Sequence, residues 1–150
     1  PLGTGGALGL LPKTLPELPM VVVNGDILTS VDIERVLEFH NERDATATMC
    51  VREYDYQIPY GVINGDGEQI VDMEEKPIQR FFVNAGIYVL SPTVYQGVPP
   101  GRAIDMPTLL QQHINKNDKV LMFPIHEYWL DIGRMDDFEK AQIDVRGLSN

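Results

Sequence analysis

The chain has 150 residues, with 22 acidic against 12 basic side chains and a formal net charge of −10. That balance excludes a dedicated nucleic-acid binder, which presents a clustered Lys/Arg face, although metal and backbone N–H groups still let an acidic protein hold an anionic nucleotide. The single cysteine, Cys50, excludes an internal disulfide and fits a reducing compartment. No apolar run approaches the ~20 residues of a membrane span and no basic and apolar leader opens the chain, so a cytoplasmic location without membrane contact is expected.

The length suits one domain, residues 1–150. In chain order, Pro1-Leu2-Gly3-Thr4-Gly5-Gly6-Ala7-Leu8-Gly9 reads as a flexible glycine-rich loop. It has no strand ahead of it, so the chain is expected to be part of a longer polypeptide. Residues 12–19 carry three prolines and read as an irregular connector. Met20 to Val23 is a continuous apolar run, the signature of a strand buried on both faces in a parallel sheet. Thr29 or Ser30 is placed to cap a helix with Asp32 and Glu34 in its first turn. Ile33, Val36, Leu37 and His40 follow at helical spacing and predict the face that packs on the sheet. Residues 46–51 are rich in β-formers, completing a strand–helix–strand unit whose default crossover is right-handed.

Tyr60 to Ile63 and Gln69 to Met73 flank the turn Asn64-Gly65-Asp66-Gly67, a hairpin signal. Phe81 to Leu90 predicts another strand, and Asp105-Met106-Pro107 opens a helix through about Asn115. Residues 120–125 and 128–130 read as short strands, and a last amphipathic helix is predicted over about 135–145. Strands alternating with helices argue for an α/β fold, a mixed sheet flanked by helices with a β-hairpin insertion.

Two aspartates end short apolar strands beside glycine: Asp26 in Asn24-Gly25-Asp26 and Asp131 in Trp129-Leu130-Asp131-Ile132-Gly133. A carboxylate there stands at the rim where open α/β sheets bind ligands. Two together make a hard oxygen site suited to Mg²⁺ and substrate phosphates. Taken alone, Asn24-Gly25-Asp26 is as readily a turn in which Asp26 is only a cap. The charged run Glu74-Glu75-Lys76-Pro77 is by default a solvated turn. Pro77 biases Lys76 to an extended backbone, leaving a lysine charge for phosphate and a carboxylate for sugar hydroxyls. Asn84-Ala85-Gly86 reads first as a β-bulge, and otherwise as a place where something approaches the backbone closely. Tyr128 and Trp129 read as core aromatics. The dinucleotide fingerprint fails, since its third glycine would fall at Leu8, and no phosphate-binding G-x-x-x-x-G-K-[ST] loop occurs. His40, His113, His126 and Cys50 lack metal-ligand spacing.

In this order, Leu2-Gly3-Thr4-Gly5-Gly6-Ala7-Leu8, Asn24-Gly25-Asp26, Tyr60-Gly61-Val62, Glu74-Glu75-Lys76-Pro77, Val83-Asn84-Ala85-Gly86-Ile87-Tyr88 and Trp129-Leu130-Asp131-Ile132-Gly133 resemble the sugar-1-phosphate nucleotidyltransferases (NDP-sugar pyrophosphorylases). The last two look most like the guanylyltransferase branch, which acts on mannose-1-phosphate or related hexose phosphates. The resemblance implies a Rossmann-like mixed sheet and substrates that are an NTP, GTP by preference, and a sugar-1-phosphate. It implies that Gly3, Thr4 and Gly5 lie along the nucleobase and that Asp26 and Asp131 hold Mg²⁺ against the α-phosphate. Gly61, Glu75 and Asn84 would recognise the sugar, and Lys76 its phosphate.

One departure stands out. The family opens with a strand, central in its sheet, and a G-x-G-x-R-x-x-P-x-T loop that wraps the triphosphate; the chain starts downstream of both. Residues 1–150 alone are therefore expected to turn over no substrate, and a sheet short of that strand is expected to exchange elements between chains or to form a homo-oligomer. Two other classes stay open: a metal-dependent glycosyltransferase, which would release a nucleoside diphosphate, and a regulatory module that binds sugar nucleotides without turnover.

Overall fold

A computed structural model describes residues 1–133 together with Gln142, Asp144 and Val145. The helix expected over about 135–145 lies outside the described residues apart from those last three, which are helical. The chain forms two compact units, Pro1–Val51 with Asn84–Asn150, and Arg52–Val83.

In the first unit, β1 (Met20–Val23), β3 (Ala47–Gln57), β6 (Ile78–Leu90) and β7 (Val120–Pro124) form a sheet in the order β1-β6-β3-β7. β1 runs antiparallel to β6, with Met20 opposite Leu90 and Val23 opposite Ile87. β7 runs parallel to β3, with Ala47 opposite Val120, so the sheet is mixed. The strand period of two sends alternate side chains to opposite layers. Ile87, Val89 and Cys50 pack with Val36 of α2 (Ile33–Glu42). Tyr88 and Leu90 pack with Val94 and Tyr95 of α3 (Pro92–Tyr95) and with Met106, Leu109 and Leu110 of α4 (Met106–Asn115). Helices thus cover both faces of the sheet. Ile87, Val89 and Leu90 are fully buried, each contributing about 1.5–3 kcal/mol.

The Met20–Val23 run is a strand, and its side chains do pack on both layers, Met20 and Val22 on one and Val21 on the other. Its pairing is antiparallel rather than parallel, and it ends the described sheet. A continuous apolar run reports coverage of two faces and carries no information on partner direction.

Helix α2 presents the predicted face, with Val36 and His40 buried, but its cap is Asp32, whose carboxylate accepts from the N–H groups of Glu34 and Arg35. Thr29 is occupied elsewhere, donating its hydroxyl to Tyr128 O. His40 ties the helix to the sheet. Ser91 Oγ donates to Ala45 O at 2.7 Å, so it accepts from His40 Nε2–H at 2.9 Å. Nδ1 then accepts from the Thr48 hydroxyl at 2.9 Å.

The opening glycines are ordered helical turns rather than a flexible loop: α1 (Gly3–Gly6) and a 3-10 turn, Ala7–Leu10. The cause is tertiary. Gly5 N–H donates to Ile104 O and Ile104 N–H to Leu2 O, and a Cβ on Gly6 would fall 2.6 Å from Arg102 O. Glycine lets this backbone lie directly on the segment leading into α4.

In the second unit the outer parts of β3 and β6 join the hairpin of β4 (Val62–Asp66) and β5 (Gln69–Glu74). The turn sits later than the pattern suggests. Asp66 pairs with Gln69 around Gly67, at φ +59°, while Asn64-Gly65 forms an irregularity inside the strand. Arg80 holds Asp55 through two hydrogen bonds, of 2.8 and 3.1 Å, and this pairing lowers the Asp55 carboxyl below its ordinary range. Among the described residues no helix is long and apolar enough to cross a membrane.

Candidate functional site

Between β1 and α2 the chain makes a short strand that the sequence pattern misses, β2 (Ile27–Thr29). It pairs antiparallel with β8 (Trp129–Asp131), so that Ile27 faces Asp131 and Thr29 faces Trp129. Both ends of this ribbon are fastened: Thr29 Oγ1 donates to Tyr128 O at 2.6 Å, and Ile132 N–H donates to Asp26 O at 2.8 Å. Asp26 precedes one strand and Asp131 closes the other, so antiparallel pairing delivers both carboxylates to the same end.

Their meeting point is Gly133. A Cβ there would stand 2.8 Å from Asp26 Oδ2 and 3.0 Å from Asp131 Oδ1. Asp131 Oδ1 also accepts the Gly133 N–H at 2.9 Å. Asp26 is exposed and Asp131 half-buried. Neither has an ion-pair partner among the described residues. No group of three or more acidic, histidine or cysteine ligands occurs among the described residues. Two converging carboxylates open to solvent fit Mg²⁺, which takes one or two carboxylates and completes its shell with water and phosphate oxygens.

A shallow cleft of about 510 Å³ opens beside this point, lined by Val22, Val23, Asn24, Gly25, Asp26 and Thr4. Of the three residues expected along the nucleobase, Thr4 therefore reaches the cleft of Asp26. Gly5 is buried behind it, and Gly3, at φ +72°, lies against Ile104 and Asp105. The Thr4 hydroxyl is also structural, accepting from Met106 N–H at 2.8 Å and so capping α4 from far along the chain.

Asn84 sits on β6, exposed, with its side chain tied to its own strand. Oδ1 accepts from Gly86 N–H at 2.8 Å and Nδ2 donates to Tyr88 Oη at 2.7 Å, which leaves one donor and one acceptor lone pair free. Burial raises the Tyr88 phenol above its ordinary pKa despite that bond. Gly86, at φ +73°, is where the backbone is approached closely, and what approaches is Asn24: a Cβ on Gly86 would fall 2.8 Å from Asn24 Nδ2. Trp129, read as a core aromatic, does pack on the core and in addition donates its indole N–H to Ala85 O at 2.7 Å. Cys50 is fully buried, and burial pushes its thiol up to about 12, far from a reactive thiolate.

In the second unit the structure brings Gly61 and Glu75 together, a Cβ on Gly61 standing 3.2 Å from Glu75 Oε2. Lys76 is exposed, and its ammonium has no partner among the described residues. Its backbone overturns the extended expectation: φ is +45°. The turn is held from outside, by Ile58 N–H on Pro77 O and Gln57 Nε2 on Lys76 O, and these long-range bonds outweigh the local preference of a pre-proline residue. Backbone of this kind is costly for a residue with a Cβ and concentrates at functional positions.

A family model described as nucleotidyl transferase matches residues 1–147. The chain is 33% identical over 150 residues to a mannose-1-phosphate guanyltransferase of Pichia angusta, covering 92% of this chain and 40% of that protein. It is 29% identical over 160 residues to the mannose-1-phosphate guanylyltransferase of Mycobacterium tuberculosis, covering 99% and 43%. It thus spans about two fifths of the length of these curated relatives. Among solved structures it resembles HddC from Yersinia pseudotuberculosis, with a TM-score of 0.65 and 26% identity over 94% of this chain and 61% of that one. HddC complexed with GMP-PN matches with a TM-score of 0.65 and 25% identity.

Proposed function

The chain belongs to the nucleotidyl transferase family, and from that premise we propose that it carries the metal- and sugar-binding part of a sugar-1-phosphate guanylyltransferase acting on mannose-1-phosphate or a related hexose phosphate. The guanylyltransferase relatives and the guanine nucleotide analogue in HddC support the choice of GTP. The observation that carries the reading is the convergence of Asp26 and Asp131 on Gly133.

A sugar-1-phosphate oxygen forms a bond to the α-phosphorus of the NTP, and the bond from that phosphorus to the bridging oxygen breaks as pyrophosphate leaves. Two anions must meet in line, so charge neutralisation and alignment are what the protein supplies. Mg²⁺, when bound by Asp26 and Asp131, supplies neutralisation at the α-phosphate. Thr4, which lines the cleft, meets the nucleoside, with Gly5 packed behind it. Lys76 contributes a point charge to the sugar phosphate. Glu75, drawn close by the absence of a side chain at Gly61, accepts from sugar hydroxyls, and Asn84 offers its remaining donor and lone pair. The attacking phosphate is ionised at neutral pH, which removes any need for a general base.

The test is pyrophosphate release from GTP and mannose-1-phosphate in a polypeptide that joins these residues to the family's G-x-G-x-R-x-x-P-x-T loop. Asp131→Asn should abolish release and leave the melting curve in place. Full activity in Asp131→Asn would remove that residue from the metal site, and release of a nucleoside diphosphate would assign glycosyl transfer.

A further inference from the structure

Two consecutive residues of β6, Ala85 and Gly86, are held from the two carboxylate-bearing elements. Gly86 O accepts from Asn24 N–H at 2.8 Å, on the turn leading to Asp26. Ala85 O accepts from the Trp129 indole N–H at 2.7 Å, on the strand that ends in Asp131. Asn84 closes the arrangement on Gly86 N–H. We propose that Trp129 is a positioning residue: its indole N–H, anchored on the Ala85 carbonyl, fixes β8 on β6 and thereby sets where Asp131 meets Asp26. This deepens the metal-site reading above and rests on it.

The bonds at the two ends of the ribbon tie its strands to each other, and Trp129 ties the ribbon to the main sheet. Among the described strands β8 pairs only with β2, across three residue pairs, and an isolated two-stranded ladder of that length is marginal. A slip of one residue would turn Asp131 to the other face. Trp129 and Asp131, two apart on one strand, share a face, while Leu130 between them is buried at 8% exposure. The Trp129 ring packs against the core cluster of Ile87, Val89 and Ile125. Its polar edge donates to the carbonyl of Ala85, a fully buried residue, where a hydrogen bond is costly to lose. One side chain therefore fixes both depth and register for the strand that ends in Asp131.

The chain contains one tryptophan, so replacing tryptophan throughout by β-(3-benzothienyl)alanine, which has sulfur in place of the N–H, alters position 129 alone and keeps the ring's shape. Amide exchange is followed at Ile132 and Gly133, whose N–H groups bond Asp26 O and Asp131 Oδ1. Mn²⁺ binding in the presence of GTP is followed by broadening of the Gly133 amide signal. The expected result is about tenfold faster exchange at those two amides, unchanged exchange at residues 87–90, and about tenfold weaker Mn²⁺ binding; Trp129→Phe should reproduce it. Unchanged exchange at Ile132 and Gly133 overturns the proposal, as does uniform acceleration that includes residues 87–90, which marks a packing role only. Asp131→Asn is run in parallel. If it leaves Mn²⁺ binding intact, the metal-site reading falls and the metal part of this proposal with it, while the exchange data still judge whether Trp129 holds the ribbon.

Discussion

Gly86 and Gly25 both lie in rim motifs, yet the structure gives them opposite tolerances. At Gly86, φ is +73° and an added Cβ would meet Asn24 Nδ2 at 2.8 Å, Ile27 Cγ1 at 3.1 Å and Asn24 Cγ at 3.2 Å. Left-handed backbone costs an L-residue about 1–2 kcal/mol, and overpacking adds about 1–3 kcal/mol. Gly86→Ala should therefore cost about 2–5 kcal/mol, a fall of roughly 5–15 °C in melting temperature for a chain of this size. Around Gly25 nothing lies within 4 Å and its φ is not positive, so Gly25→Ala should stay within about 0.5 kcal/mol. Urea and thermal unfolding of both variants, followed by circular dichroism, measure the contrast. Asn24→Ala in the Gly86→Ala background should recover the part of the overlap that Asn24 makes and leave the Ile27 contact and the backbone share. A loss at Gly86 below about 1 kcal/mol, or an equal loss at Gly25, would refute the placement of Asn24 against β6.

Lys76→Ala should raise KM for the sugar phosphate by about tenfold or more, with KM for GTP little changed; equal effects on both would sink the assignment. Lys76→Gly removes the left-handed strain and should stabilise the fold by about 1 kcal/mol while losing the same sugar-phosphate affinity, so a destabilised variant would count against the strained turn. Burial lowers the His40 pKa from its ordinary 6.5, so below that pH the unfolded chain binds more protons than the folded one. Stability should be level above pH 6.5 and decline as pH falls from there toward the depressed folded value. Melting curves from pH 7.5 to 5 would show it, and an identical slope in His40→Gln would assign the decline to other groups. Thr4→Ala should cost about 0.5–2 kcal/mol through loss of the α4 cap and Thr4→Ser much less, a ranking that thermal melts would either reproduce or reverse.

What could be read from the chain alone was whatever local chemistry determines. The Val36–His40 face, the β1 run, the hairpin and the two strand-end aspartates all carry their signal within a few residues. What escaped depends on partners far along the chain. Three residues are too few to show the alternation that would announce β2, and its ladder partner is Trp129–Asp131. Thr29 has the chemistry of a cap and loses the role to Asp32 because Tyr128 takes its hydroxyl. The Lys76 turn obeys Gln57 and Ile58 rather than Pro77. The acid pair was legible as a juxtaposition of strand ends, but Gly133 as its meeting point was not, since only the folded ribbon shows that two side chains share the space a third leaves empty.

The β2–β8 ribbon joins segments 99 residues apart at Thr29 and Tyr128. Closing so long a loop for three rungs is entropically unrewarding until the sheet and its helices already bring the ends together. During refolding the acid pair should consequently be among the last features to assemble. Recovery of helical signal would then run ahead of protection at the Ile132 amide, and a chain arrested in between would look native by its helices while its two carboxylates stood apart.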